Sequence, residues 1–122
     1  MELLPKITQI SIFIVGLIHV SLAIGEIFFG AWLLENRFDV PSDIATQADR
    51  IVKNAGIYNS FIAAGLFWAA FDPINSTILS IFFLSCVVIA GVFGAITLKW
   101  TTLIIQTIPA MIPLVLIGIG NK

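Results

Sequence analysis

The residues of this chain able to move a proton or grip a polar ligand are few, and most fall inside apolar runs. Glu26 and His19 stand in a run that is otherwise largely Ile, Leu, Val and Phe. A carboxylate placed within a membrane-spanning segment costs about 2.5–3.5 kcal/mol near the centre, so it is retained for a reason. Glu26 is the expected proton carrier, and His19 a hydrogen-bond donor or second base. They are separated by two helical turns, about 10 Å along a straight axis, so they face one cavity without touching. Asn54, Tyr58, Asn59 and Gln106 supply amides and a phenol, which both donate and accept hydrogen bonds and so position a ligand.

Spacing gives these residues common faces. Gln9, Gly16, His19, Ala23, Glu26 and Gly30 recur at intervals of three and four, which puts them on one side of a helix. Small residues on such a face also let two backbones approach, so packing alone accounts for Gly16, Ala23 and Gly30. In the next run, Gln47, Asn54, Tyr58 and either Phe61 or Gly65 share a face, with Asn59 about 100° round from Tyr58. Interhelical hydrogen bonds in membranes average only ~0.6 kcal/mol, a weak reason for several polar groups. Cys86, Ala90 and Gly94, with Gly91 and Ala95, form a small-residue face in the third run. Gln106, Pro109, Ala110 and Pro113 lie on one side of the fourth, where the prolines are expected to kink the helix and turn Gln106 inward.

The elements that carry these residues are set by composition. The chain has 122 residues, 59% hydrophobic and 11% charged, with a mean hydropathy of +1.08. An ordinary soluble domain carries about 25% charged residues, so lipid is the expected solvent. Runs at about 7–34, 51–71, 77–98 and 101–120 each reach the roughly 20 residues needed to cross a bilayer as a helix. The expected architecture is all-α: one domain over residues 1–122, a polytopic membrane protein built as a four-transmembrane-helix antiparallel bundle. The polar loop 35–50 holds Glu35, Asp39, Asp43 and Asp49, four of the seven acids. Pro41, with Ser42 or Asp43 as cap, predicts that a helix starts near 42 and runs into the second span. Asp72 and Pro73 close that span, with Asn75 or Ser76 capping the next. The opening "MELLPK" is not clearly basic and its apolar run is long, which predicts a retained helix rather than a cleaved signal.

Charge and motif counts narrow the function. A net charge of −1 leaves no basic patch for nucleic acid. One cysteine and one histidine give no disulfide or multi-histidine metal site within one copy, and no metal or cofactor is expected. Glycine-rich phosphate loops and the common hydrolase motifs are missing. Arg37, Arg50, Lys53 and Lys99 fall in the loops of one side against Lys6 and Lys122 on the other, which favours termini outside the cytoplasm.

Four stretches in order, "IHVSLAIGEIFF", "NAGIYNSFIAAGLFWA", "FFLSCVVIAGVFGAIT" and "IQTIPAMIPLVL", resemble the bacterial integral-membrane family called domain of unknown function 1304. Asn54, Gly56, Tyr58 and Asn59 fit that family's Asn-Gln-Gly-x-Tyr-Asn run, with Ala55 where Gln is usual, and Phe93 stands where Tyr is common. The resemblance implies a four-span protein of a bacterial inner membrane with a Glu in its first span. It implies no activity, and nothing in the sequence supports the epimerase label that some members bear.

The expected function is a small membrane protein in which Glu26, His19, Asn54, Tyr58, Asn59 and Gln106 line an intramembrane pocket for a small apolar or amphipathic ligand. Two alternatives are a proton-coupled small transporter acting as a homodimer, and a structural subunit of a membrane complex. Whether the protein is an enzyme is left open by these residues.

Overall fold

A computed structural model describes residues 4–120. Lys122, counted above among the charges, lies outside the described residues. The elements are α1 (Lys6–Arg37), α2 (Ser42–Phe71), α3 (Ser76–Thr97) and α4 (Ile108–Gly120), with a π-helical turn over Leu103–Thr107 leading into α4. The bundle is all-helical among the described residues. Three rods are long and apolar enough to cross a membrane: α1, α3 and the 18 residues Leu103–Gly120. The sequence favoured four spans. α2 has the length, at 30 residues, but Arg50, Lys53, Asn54, Asn59 and Ser60 dilute its apolar run.

The α1–α2 hairpin is the backbone of the fold. Along α1, Gln9, Ile12, Gly16, His19, Ala23, Glu26 and Gly30 turn inward, and along α2 so do Ala45, Asp49, Val52, Gly56, Asn59, Ala63, Leu66 and Ala70. Both rows alternate steps of three and four, the seam of an antiparallel coiled coil. Gly16 lies under the Phe67 ring, Gly56 against Ala23 and Glu26, and Gly30 against Asp49 and Val52. At the far end, the Gln9 side-chain amide donates to the Ala70 carbonyl at 2.7 Å. The helix over Ser42–Phe71 begins where Pro41 and Ser42 predict, with Pro41 at the cap position and no side-chain cap bond.

Ile12, Val15, Leu66, Ala70, Leu84, Val87, Ala110 and Ile117 form a core shared by all four helices. At the α2–α3 turn Asn75 takes the cap position of α3, with no side-chain cap bond, and Asp72 closes the turn before it: its Oδ1 accepts the N–H groups of Ile74 and Asn75. Those backbone bonds, the larger cause, hold the Asp72 carboxyl below the usual range, aided by the Trp68 indole N–H. Ser76 Oγ donates to the Ala69 carbonyl, which ties the start of α3 to the end of α2. α1 has 32 residues and α3 has 22, so the α1–α2 hairpin extends beyond the end of α3 at the loop end. Lys99 braces that projection by donating to the Arg37 carbonyl at 2.9 Å.

The π-helical turn has a local cause. Pro109 has no N–H to give to the Ile105 carbonyl. Just before it, the Ile108 N–H reaches back five residues to Leu103. The widened turn packs on the small-residue face of α3. Thr102 Oγ1 donates to the Gly91 carbonyl at 2.9 Å, and Thr107 Oγ1 to the Val88 carbonyl at 3.3 Å.

Candidate functional site

The seam brings together two of the six residues singled out above. Asn59 Nδ2 donates to Glu26 Oε1 across the α1–α2 interface. Glu26 is half-buried, as is Asn59. The bond leaves Glu26 Oε2 without a protein partner among the described residues, open to a proton or to a donor on a ligand.

His19 sits two turns deeper on the same face and is 1% exposed. Its Nδ1 lies 2.9 Å from the Val15 carbonyl. A carbonyl only accepts, so Nδ1 carries the proton and Nε2 the lone pair of the neutral ring. His19 and Glu26 are on one face but do not bond each other. Gln106 is half-buried in the π-helical turn, with its Cβ packed toward Gly91 of α3. It has no hydrogen bond to Glu26 or Asn59 among the described residues.

Asn54 and Tyr58 take the opposite direction from that expected. Both are exposed on the outer face of α2, Tyr58 at 68%, where its ring meets Phe61 edge-on at 6.1 Å. Backbone approach decides this. Gly56 and Ala63 lie in the inward row with Asn59, and turning Tyr58 inward would replace that small-residue contact with a bulky ring.

Three features near Glu26 escaped the sequence reading. Phe29 leaves helical geometry (φ −133°, ψ 29°), so α1 is broken three residues beyond Glu26. Asp49 of α2 fills the break: its Oδ1 accepts the Ala31 N–H at 3.0 Å, capping the last turns of α1 from the neighbouring helix. Lys53, one turn along α2, pairs with Asp49 Oδ2. The pairing with Lys53 is the largest cause holding the Asp49 carboxyl below the usual range, and the Ala31 N–H adds to it. The Asp49–Lys53 spacing of four is a signal the sequence did contain. Between α1 and α2 the break opens a cleft of about 270 Å³. Its wall is Phe28, Phe29 and Trp32, and its polar side is Thr46, Asp49 and Lys53. A second cleft, of about 360 Å³, is wholly apolar and lies along Ile108, Met111, Ile112, Val115 and Leu116 of α4. Among the described residues, no three His, Cys, Asp or Glu side chains gather to hold a metal ion.

Asp49 makes the loop end pH-sensitive in a definite direction. Its pKa is lower in the folded state than in the unfolded chain, where aspartate titrates near about 3.9. The stabilisation is therefore complete above that value and is lost as pH falls through the folded pKa. Acidification from pH 7 to below the folded pKa of Asp49 should loosen residues 30–37 before the rest of the bundle. Hydrogen exchange of the Ala31 amide reads this, and protection unchanged between those pH values, after correction for intrinsic rates, would disprove the cap.

The site and fold define a class: a helical bundle with three helices long and apolar enough to cross a membrane, carrying a hydrogen-bonded carboxyl in its longest hairpin. The chain belongs to the family described as Protein of unknown function (DUF1304), whose model matches residues 13–117. No curated protein and no solved structure matches it.

Proposed function

We propose that the protein is a small integral membrane protein that holds an amphipathic small molecule at the loop end of the α1–α2 hairpin, its polar end reaching Glu26. The observation that carries this is the Asn59–Glu26 bond set three residues before the break in α1. The bond fixes the carboxyl while leaving one oxygen open, and the broken helix gives that depth an amphipathic entrance. In this reading α2 serves as the fourth span. The membrane is a bacterial plasma membrane, with Arg37, Arg50, Lys53 and Lys99 on its cytoplasmic side. His19 contributes its Nε2 lone pair at the deep end of the seam, and Gln106 lines the opposite helix.

The dimeric transporter asks Glu26 to meet its twin from a second copy. The first reading is favoured because Asn59 of the same chain already engages that carboxyl.

The test is native mass spectrometry of the full chain, purified in mild detergent and incubated with the total lipid extract of its host membrane. The wild type should retain a bound amphiphile, and Glu26→Gln should lower its occupancy at least about tenfold, the loss of roughly 1.4 kcal/mol. Equal occupancy in both proteins would reject the proposal. Circular dichroism confirms that the variant is folded.

A further inference from the structure

We propose that the cleft at the break in α1 takes the headgroup of a zwitterionic aminophospholipid, its phosphate on Lys53 and its ammonium on Asp49. This rests on the amphiphile reading above: the charged headgroup occupies the cleft, whose lining includes Gly30, one helical turn beyond Glu26, and the polar groups next to it in the ligand reach the Glu26 carboxyl.

The cleft has two unlike sides. Phe28, Phe29 and Trp32 are exposed at 71%, 58% and 57%, an apolar wall that a free phosphate ion would not use. Opposite them, the Lys53 and Asp49 side chains remain 46% and 27% exposed while paired. A lysine ammonium has three donors and one is spent on Asp49, so two remain for a phosphate oxygen. Each Asp49 oxygen already accepts one bond, from Ala31 or from Lys53. Each keeps a second lone pair for an alkylammonium N–H. An exposed ion pair of zero net charge is matched by a ligand carrying one charge of each sign. A purely anionic headgroup would leave Asp49 facing a like charge, and a quaternary amine has no N–H to give.

Size and placement agree. A cleft of about 270 Å³ holds a headgroup but not two acyl chains. The chains would leave along the exposed aromatic wall, which continues the outer face of α1. The cleft lies near the loop end of the α1–α2 hairpin, between Phe28–Trp32 of α1 and Thr46–Lys53 of α2, where a headgroup rather than acyl chains is the part of a lipid to be held.

The experiment presents the full chain, in detergent micelles, with phosphatidylethanolamine, phosphatidylcholine and phosphatidylglycerol of identical acyl chains. Retained lipid is counted by native mass spectrometry. The wild type should retain the ethanolamine lipid at least about fivefold above the other two. Lys53→Met should abolish that preference, and Lys53→Arg should restore it. Asp49→Asn should also lose it, but that variant also weakens the Ala31 cap, so Lys53→Met decides. Equal retention of the three lipids by the wild type overturns the inference, as does a preference that survives in Lys53→Met. Displacement of the lipid by an equal concentration of inorganic phosphate also overturns it, since the aromatic wall would then contribute nothing. The two proposals fail separately: the earlier one when Glu26→Gln leaves occupancy unchanged, this one when headgroup preference is missing from the wild type.

Discussion

Replacing Gly56 with leucine is expected to cost about 2–4 kcal/mol of stability and to part Glu26 from Asn59. A Cβ at this position would lie 3.0 Å from the Ala23 carbonyl oxygen, 3.0 Å from Glu26 Cβ and 2.7 Å from Ile27 Cγ1. Flexible side-chain tips can swing aside, but a helix carbonyl cannot move without its helix. α1 and α2 must therefore separate along the seam that carries the site. Gly118 is the control, because a Cβ there has no neighbour within 4 Å. Gly118→Leu should change stability by no more than about 0.5 kcal/mol. Reversible unfolding in mixed micelles with a denaturing detergent measures both. Equal behaviour of the two variants would mean that the helices are not in close contact at Gly56.

The same contact explains which parts of the site could be read from the sequence. α1 was legible because its inward residues differ in kind from their neighbours. Gln9, Gly16, His19, Ala23, Glu26 and Gly30 interrupt a run of large apolar residues, and the structure turns this row inward. α2 offers two competing rows. Asn54 and Tyr58 mark one by polarity; Gly56, Asn59 and Ala63 mark the other by size. Polarity favoured the first. Close packing of two long helices favours the second, and it wins because interhelical hydrogen bonds are weak individually. The family run Asn54-x-Gly56-x-Tyr58-Asn59 is thus divided between two faces of one helix.

The break at Phe29 was not legible for a different reason. No proline marks it, and Gly25 and Gly30 flank it without determining it. What stabilises it is a contact across 18 residues of chain, in which the Asp49 carboxylate takes the Ala31 N–H. Such a cap is visible only once the register of α1 against α2 is known. The π-helical turn is an intermediate case. Pro109 and Pro113 announced a disturbance, but not that the turn before Pro109 would widen rather than bend.

The Glu26–Asn59 pair should couple measurably in a double-mutant cycle. Asn59→Leu removes the donor and leaves the half-buried carboxyl with no partner, an expected loss of about 1.5–3 kcal/mol. Glu26→Leu removes the costlier group and should cost less, about 1 kcal/mol or below, because an amide is easier to leave unpaired than a carboxylate. The double variant replaces both with apolar side chains in an apolar setting. Its loss should fall short of the sum of the single losses by about 1–2 kcal/mol. Asn54→Leu is the informative comparison. Asn54 carries the same amide one turn away on the outer face and has no partner in the hairpin among the described residues. Its replacement should be neutral or stabilising, and should show no coupling to Glu26. Additive losses at Glu26 and Asn59, or coupling of Glu26 to Asn54 instead, would mean that α2 is rotated from the arrangement described. The polar centre of the hairpin would then be the Asn54 and Tyr58 row that polarity alone suggests.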